Sequence, residues 1–149
     1  PSTPHRPTES FPADVADPAR IRQRASRTLD FTLLVAVMLL GVINYRLYDA
    51  EAHAIANRLL DALPSGSYLA MSHPTAEVHA EAIETSVRQY NSSGAPPIKT
   101  RSRQELTVFF DGLELLEPGV VSCSLWRPDP REIGTPAEVT QFCGVARKP

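Results

Sequence analysis

The sequence predicts an α/β fold, in which helices cover the faces of a mainly parallel sheet. Three observations predict it. The 149 residues suit a single domain, and residues 31–43 form a charge-free apolar run. Segments with helical periodicity also alternate with strand-like runs along the chain, and this alternation is typical of βαβ crossovers. With 42% hydrophobic and 21% charged residues, the chain can build an ordinary globular core.

The chain is predicted to begin with a flexible arm and a short surface helix. Residues 1–12 contain four prolines and several Ser and Thr residues, and such a composition cannot bury enough apolar surface to order itself. Asp17 followed by Pro18 is typical of a helix N-cap and first helical position. The helix is expected to extend to about Ser26.

The apolar run FTLLVAVMLLGVI, residues 31–43, has three possible interpretations. It is shorter than the roughly 18 apolar residues typical of a membrane-spanning helix. Arginines precede it, as in a signal peptide, but Asp30 lies directly before it and no small-residue cleavage site follows. A core helix is the third possibility. We favour a central parallel strand buried on both faces, because such strands are continuous in Val, Ile and Leu.

The remaining elements follow from caps, periodicity and turns. A helix is predicted from Asp49 to just before Pro64, and a capping box at 102–105 begins another. His73 to Thr75 is expected to be a turn, with Thr75 capping a helix. The predicted strands are 67–72, 113–117 with a possible continuation at 120–124, and 141–147. Strand 67–72 and the last strands should flank the apolar strand. The last two strands are expected to pair antiparallel, because no helical pattern separates them.

Several classes of function are not supported by the sequence. It contains no glycine-rich nucleotide loop, nucleophile elbow or zinc-protease motif, so no catalytic residue is assigned. His73 and His79 are expected in turn and surface positions, and no metal site is predicted. The net charge of -2 argues against a nucleic-acid binder with a large basic surface. Cys123 and Cys143 are expected to be buried core thiols.

The carboxyl end of the apolar strand is the one position that suggests a ligand site. Ligands bind at the carboxyl ends of strands in open α/β sheets. Gly41 would let a ligand approach the backbone, Asn44 offers an amide and Tyr45 a ring for stacking. Alternatively, Gly41 only relieves packing and Asn44 starts a turn.

Several segments together resemble the bacterial S-adenosyl methyltransferase family, which has a class I, Rossmann-like fold. The resemblance lies in DFTLLVAVMLLGVINY (30–45), RLLDALPSGSYL (58–69), SHPT (72–75), FFDGLEL (109–115), EPGVV (117–121), WRP (126–128) and CGVARK (143–148). It covers residues 13–149 and only the C-terminal half of the family's domain. The implied fold is a partial Rossmann-like sheet with a C-terminal antiparallel strand pair.

The resemblance implies a donor site for S-adenosylmethionine. Asp14 takes the position of the acidic residue that faces the adenine amine, and Gly41, Val42, Asn44 and Tyr45 match the loop beside the methyl-donor sulfur. The family's first half, with its glycine-rich loop, has no counterpart here, so cofactor binding is expected to be impaired. Two departures are Leu33-Leu34, where the family usually has Arg-Pro, and Arg46, where an apolar residue is usual.

The implied activity is S-adenosylmethionine-dependent methyl transfer to a small molecule or a protein. The alternative is a non-enzymatic remnant or interaction module that self-associates through strand edges left unpaired. We expect no nucleic-acid or membrane partner, a possible homo-oligomer, and a cytoplasmic location with two free thiols.

Overall fold

The computed structural model describes residues 8–129, 131, 134 and 136–149. Its helices are α1 (Pro18–Ala25), α2 (Asp49–Asp61), α3 (Ala80–Asn91) and α4 (Arg103–Thr107). Its strands are β1 (Ala36–Leu40), β2 (Tyr68–Pro74), β3 (Glu114–Leu115), β4 (Val121–Ser122) and β5 (Gln141–Arg147). Short 3-10 turns cover Ile43–Tyr45, Val108–Phe110 and Cys123–Leu125.

The strands form one mixed, open sheet, which confirms the predicted α/β class. β1 and β2 are parallel, with Ala36 opposite Tyr68 and Leu40 opposite Ser72. β5 lies antiparallel to β2 on one side and to β3 and β4 on the other, which gives the order β1-β2-β5-β3 with β4 also on β5. The predicted antiparallel pairing of the last strands is therefore confirmed.

Local capping explains where two of the helices begin. The Asp17 carboxylate accepts a hydrogen bond from the Arg20 amide at 3.0 Å, and Pro18 opens α1 as expected. At α4 the Ser102 hydroxyl accepts from the Glu105 amide, while the Glu105 carboxylate accepts from the Ser102 amide. This reciprocal capping box fixes the segment just before α4, and that segment lies beside the candidate site.

The prediction that residues 31–43 form a central strand buried on both faces is wrong in its placement. The strand exists and is parallel to β2, but it covers only Ala36–Leu40 and lies at the edge of the described sheet. Within it only Leu39 is fully buried, whereas Met38 and Leu40 are 60% and 53% exposed. The physical reason is that β1 has a paired strand on one side only, so β2 takes the central position.

The predicted turn at His73 to Thr75 is also wrong. β2 continues through Pro74, and the Thr75 amide still donates to the carbonyl of Thr140 at 3.0 Å. The Thr75 hydroxyl accepts from the Glu77 amide, but α3 starts only at Ala80. The antiparallel β5 partner extends β2 by pairing with His73 and Pro74, and no local sequence signal shows that partner.

Both cysteines are free thiols, as predicted, but they are only partly buried and are not core residues. Burial, together with a hydrogen bond from the Cys143 thiol to Cys123, raises the pKa of Cys143 to about 12. The core lies between α2, the following loops and the inner strands. Its fully buried members include Ile43, Leu69, Leu106 and Phe142.

Two further features of the described residues concern the arm and membrane attachment. Residues 1–7 of the predicted flexible arm lie outside the described residues, while Glu9 accepts a hydrogen bond from the Thr28 hydroxyl at 2.8 Å. No helix in the described part of the chain has both the length and the apolar character to cross a bilayer.

Candidate functional site

The site loop, residues 41–46, leaves the sheet where the carboxyl ends of the parallel strands β1 and β2 meet. The Gly41 amide donates to the Ser72 carbonyl at 3.1 Å, and this is the last backbone hydrogen bond between β1 and β2. Gly41 has φ +64°, a conformation that favours glycine, and the space above it is open: an added Cβ would find only Gln141 Nε2, at 4.0 Å. The chain can therefore turn sharply here and leave its backbone accessible.

Asn44 contributes an unused hydrogen-bond acceptor to the site loop. The residue is only 7% exposed, and its Oδ1 has no hydrogen-bond partner among the described residues. Its backbone carbonyl accepts from the Lys99 amide at 2.8 Å, which ties the loop to the segment before α4. A buried acceptor without a donor is costly, so Asn44 Oδ1 suits a ligand or water that brings an N–H or O–H group.

Tyr45 connects the site loop to α3. The residue is 44% exposed, and a hydrogen bond between its side chain and Tyr90 raises the pKa of Tyr90, near the end of that helix. Val42, just before the 3-10 turn, is partly buried. Tyr45 is thus the accessible aromatic surface of the loop.

Asp14 reaches the site loop through Arg46. The Arg46 guanidinium donates to Asp14 Oδ1 at 2.9 Å and to Glu51 Oε1 at 3.4 Å. Asp14 Oδ1 also accepts from the Ala16 amide at 2.9 Å, and its side chain remains 65% exposed. The structure therefore brings Asp14 to the same loop as Gly41, Val42, Asn44 and Tyr45. Arg46, where the family usually has an apolar residue, makes this contact between Asp14 and the loop.

The Arg101 cluster, made of Arg101, His73, Asp49 and Lys99, lies beneath the site loop. Arg101 is 2% exposed, and its guanidinium donates to the carbonyls of Arg46 at 2.8 Å and Ile43 at 3.4 Å. It also donates to Asp49 Oδ1 at 2.9 Å, and Lys99 Nζ donates to both oxygens of the same carboxylate at 2.8 Å. Lys99 is the first cause of the lowered pKa of Asp49. The cluster fixes the backbone of the loop from below.

His73 is part of this cluster and is not a surface residue, so the expectation of a turn position for it is wrong. It is 1% exposed, its Nδ1 donates to the Pro74 carbonyl at 2.9 Å, and its Nε2 accepts from Arg101 at 2.7 Å. Burial lowers the pKa of His73 to about 4, because the charged ring cannot be solvated there. His79 is exposed, as expected.

Acid should therefore destabilise the protein through His73. The unfolded ring takes up a proton near pH 6.5 and the folded ring only near pH 4, so its contribution is complete above pH 6.5 and is lost as the pH falls toward 4. At about 1.4 kcal/mol per unit of pKa, the loss is about 3 kcal/mol. Urea unfolding between pH 7 and 4 measures it. His73→Gln should flatten the slope, whereas the exposed-residue control His79→Asn should keep it. Equal slopes in all three proteins would contradict the buried neutral ring.

Sequence reasoning missed the Arg101 cluster because no local pattern marks it. Arg101 and Lys99 follow a Pro-Pro loop, where charged side chains are normally solvated. The only available signal was the adjacent capping box, which fixes the chain direction without indicating burial. Among the described residues, no group of three or more His, Cys, Asp or Glu side chains is placed to hold a metal ion.

Comparison with known proteins identifies the fold that carries this site. A sequence model of the S-adenosyl methyltransferase family matches residues 1–149. The chain belongs to the S-adenosyl methyltransferase family. The match includes residues 1–12, which lie outside the resemblance stated for residues 13–149. No curated protein matches the chain.

Solved structures agree with the family assignment. A DUF574 family protein from Streptomyces avermitilis is 39% identical with a TM-score of 0.83, over 92% of this chain and 53% of that one. A putative methyltransferase from Thermobifida fusca is 30% identical with a TM-score of 0.79, over 93% and 53% respectively. A SAM-dependent methyltransferase from Methanosarcina mazei, at 11% identity and a TM-score of 0.51, shares the fold alone. The chain spans about half the length of its first two relatives.

Proposed function

We propose that this methyltransferase-family chain supplies one side of a donor site for S-adenosylmethionine, and that residues outside the chain complete the site. The observation that carries the proposal is the site loop. It lies at the carboxyl ends of two parallel strands, where ligands of open α/β sheets bind, and a buried arginine holds its backbone. Asp14, the candidate for the adenine amine, contacts the same loop through Arg46.

The residues of the site fit the donor in their chemistry. Asp14 presents a carboxylate acceptor to an amine, Asn44 Oδ1 is a buried acceptor without a donor, and Gly41 allows close approach to the backbone. Oxygen acceptors suit a ligand with amine groups and a positive sulfur. Arg46 places a positive charge nearby, but Asp14 and Glu51 pair with it at 2.9 and 3.4 Å and offset that charge.

The site needs no acid, base or nucleophile for this reaction. The sulfonium methyl group has a good leaving group already, so the protein has to bind, orient and desolvate the reactants. The rigid attachment of the site loop to Arg101 and Lys99 suits that task, since it fixes the loop before any ligand arrives. The exposed ring of Tyr45 is available for stacking at the open side.

Weak binding of the demethylated donor, S-adenosylhomocysteine, should map to this loop. In an amide NMR titration at millimolar ligand, we expect shifts at Gly41, Asn44 and Tyr45 and around Asp14. The inosine analogue, which lacks the adenine amine, should leave the Asp14 region unshifted. Asp14→Asn should weaken the response, and Asp61→Asn, at an exposed carboxylate on α2, should leave it unchanged. Shifts confined to another surface, or none at saturating ligand, would contradict the proposal.

A further inference from the structure

Arg46 joins three segments of the chain at the site loop. Its Nη2 atom donates to Asp14 Oδ1 at 2.9 Å, and its Nη1 atom donates to Glu51 Oε1 at 3.4 Å. Asp14 precedes α1, whereas Glu51 lies in the first turn of α2. The Arg46 carbonyl accepts from Arg101 at 2.8 Å, so the backbone that carries this side chain is fixed while its guanidinium has two carboxylates within reach.

The two carboxylates hold the Arg46 guanidinium unequally. The contact with Asp14 has the length of a charge-assisted hydrogen bond, whereas the contact with Glu51 is longer than the usual range. The Arg46 Nε atom is buried and has no hydrogen-bond partner among the described residues. A guanidinium with an unused donor and a loosely held second carboxylate can leave Asp14 by pairing more closely with Glu51.

The contact with Arg46 occupies the carboxylate that the proposed function assigns to the adenine amine. Asp14 Oδ1 accepts from Arg46 and from the Ala16 amide, at 2.9 Å in both cases. A hydrogen bond from an uncharged amine is weaker than one from a guanidinium, so the adenine amine has to compete with Arg46 for this carboxylate. Binding of the methyl donor is therefore coupled to the position of the Arg46 side chain.

We propose that Arg46 is an autoinhibitory residue of the methyl-donor site: it occupies Asp14 in the free chain, and binding of the methyl donor transfers its guanidinium to Glu51. The proposal rests on the proposed function, because it takes Asp14 as the acceptor for the adenine amine. Arg46 then sets both the affinity for the methyl donor and the dependence of that affinity on salt. Salt screens the ion pair between Arg46 and Asp14 but has little effect on a hydrogen bond from an uncharged amine.

Amide NMR titrations with S-adenosylhomocysteine test the proposal on the full chain. Arg46→Leu should strengthen binding about two- to fivefold, the range expected when a competing, partly exposed ion pair is removed. Glu51→Gln should instead weaken binding about twofold, because Arg46 then has Asp14 as its one charged partner. In the Arg46→Leu background, Glu51→Gln should have no effect, since no guanidinium remains to be transferred. Arg58→Leu and Glu84→Gln, at exposed positions on α2 and α3, are the matched controls.

Two further readouts would not respond to a merely structural role of Arg46. Added sodium chloride should tighten binding to the unsubstituted chain and leave binding to Arg46→Leu unchanged. The inosine analogue lacks the adenine amine that competes for Asp14, so Arg46→Leu should not improve its binding.

Other outcomes overturn the autoinhibition. Equal or weaker binding to Arg46→Leu, with circular dichroism showing a folded variant, would contradict it. A loss on Glu51→Gln that persists in the Arg46→Leu background would show that Glu51 acts on the ligand without Arg46, which contradicts the transfer. Shifts at the site loop with the same affinity in every variant contradict the autoinhibition alone. The absence of shifts at the site loop in every variant contradicts the proposed function and the autoinhibition together.

Discussion

Replacing Arg101 by methionine should lower the free energy of unfolding by about 3–5 kcal/mol, as expected when one partner of a buried charged network is removed. Methionine keeps much of the apolar stem and deletes the donors to His73 Nε2 and to the carbonyls of Ile43 and Arg46. Each buried acceptor left without a donor costs about 1–3 kcal/mol. Asp49 adds little to the loss, because its side chain is 44% exposed and keeps its contact with Lys99.

Urea unfolding of the variants measures this loss. Arg58→Met is the control, because Arg58 is exposed on α2 and the change should alter stability by less than about 0.5 kcal/mol. Arg101→Lys should have an intermediate effect, because lysine keeps the charge but cannot reach all four acceptors at once. Amide exchange should also become faster at Tyr45 and Arg46. Similar stabilities for Arg101→Met and Arg58→Met would show that the Arg101 cluster does not hold the site loop.

Much of the fold follows from local patterns in the sequence. The Asp17-Pro18 pair and the capping box at 102–105 place the starts of α1 and α4 where they occur, whereas α3 begins later than its predicted cap at Thr75. The bounds of β5 are as predicted, because alternation and flanking residues mark that strand locally. The apolar run was correctly predicted to contain a strand, Ala36–Leu40, because its composition is continuous in Val, Leu and Ile. Each of these features depends on residues adjacent in sequence.

The errors come from features that depend on distant partners. β1 lies at an edge because only β2 pairs with it, and its apolar composition indicates burial without indicating which strand provides it. Likewise, β5 extends β2 through Pro74, where the local sequence resembles a turn. The strand-end position predicted Gly41, Asn44 and Tyr45 as candidate site residues, and the resemblance to the family added Val42 and Asp14. The cluster beneath them was missed, because the burial of Arg101 depends on Asp49, 52 residues earlier.

The chain alone should bind the methyl donor no more tightly than millimolar. In the proposed site, a hydrogen bond from the adenine amine to the Asp14 carboxylate would contribute about 1.5–3 kcal/mol, and the site loop would add a similar amount. A favourable total of about 4 kcal/mol corresponds to a Kd near 1 mM. Asp14 Oδ1 also accepts hydrogen bonds from Arg46 and from the Ala16 amide, which reduces the free energy that a hydrogen bond from adenine would contribute. Residues that complete the donor site should raise the affinity at least about 20-fold, to a Kd below about 50 μM.

Isothermal titration calorimetry with S-adenosylhomocysteine tests the central claim, that this chain carries one side of a donor site. Binding to the chain should be undetectable at micromolar concentrations and should appear only at millimolar ligand. Asp14→Ala should weaken that millimolar binding, whereas Asp61→Ala should not. A Kd below about 50 μM, or an Asp14→Ala variant that binds as well as the unsubstituted chain, would contradict the claim.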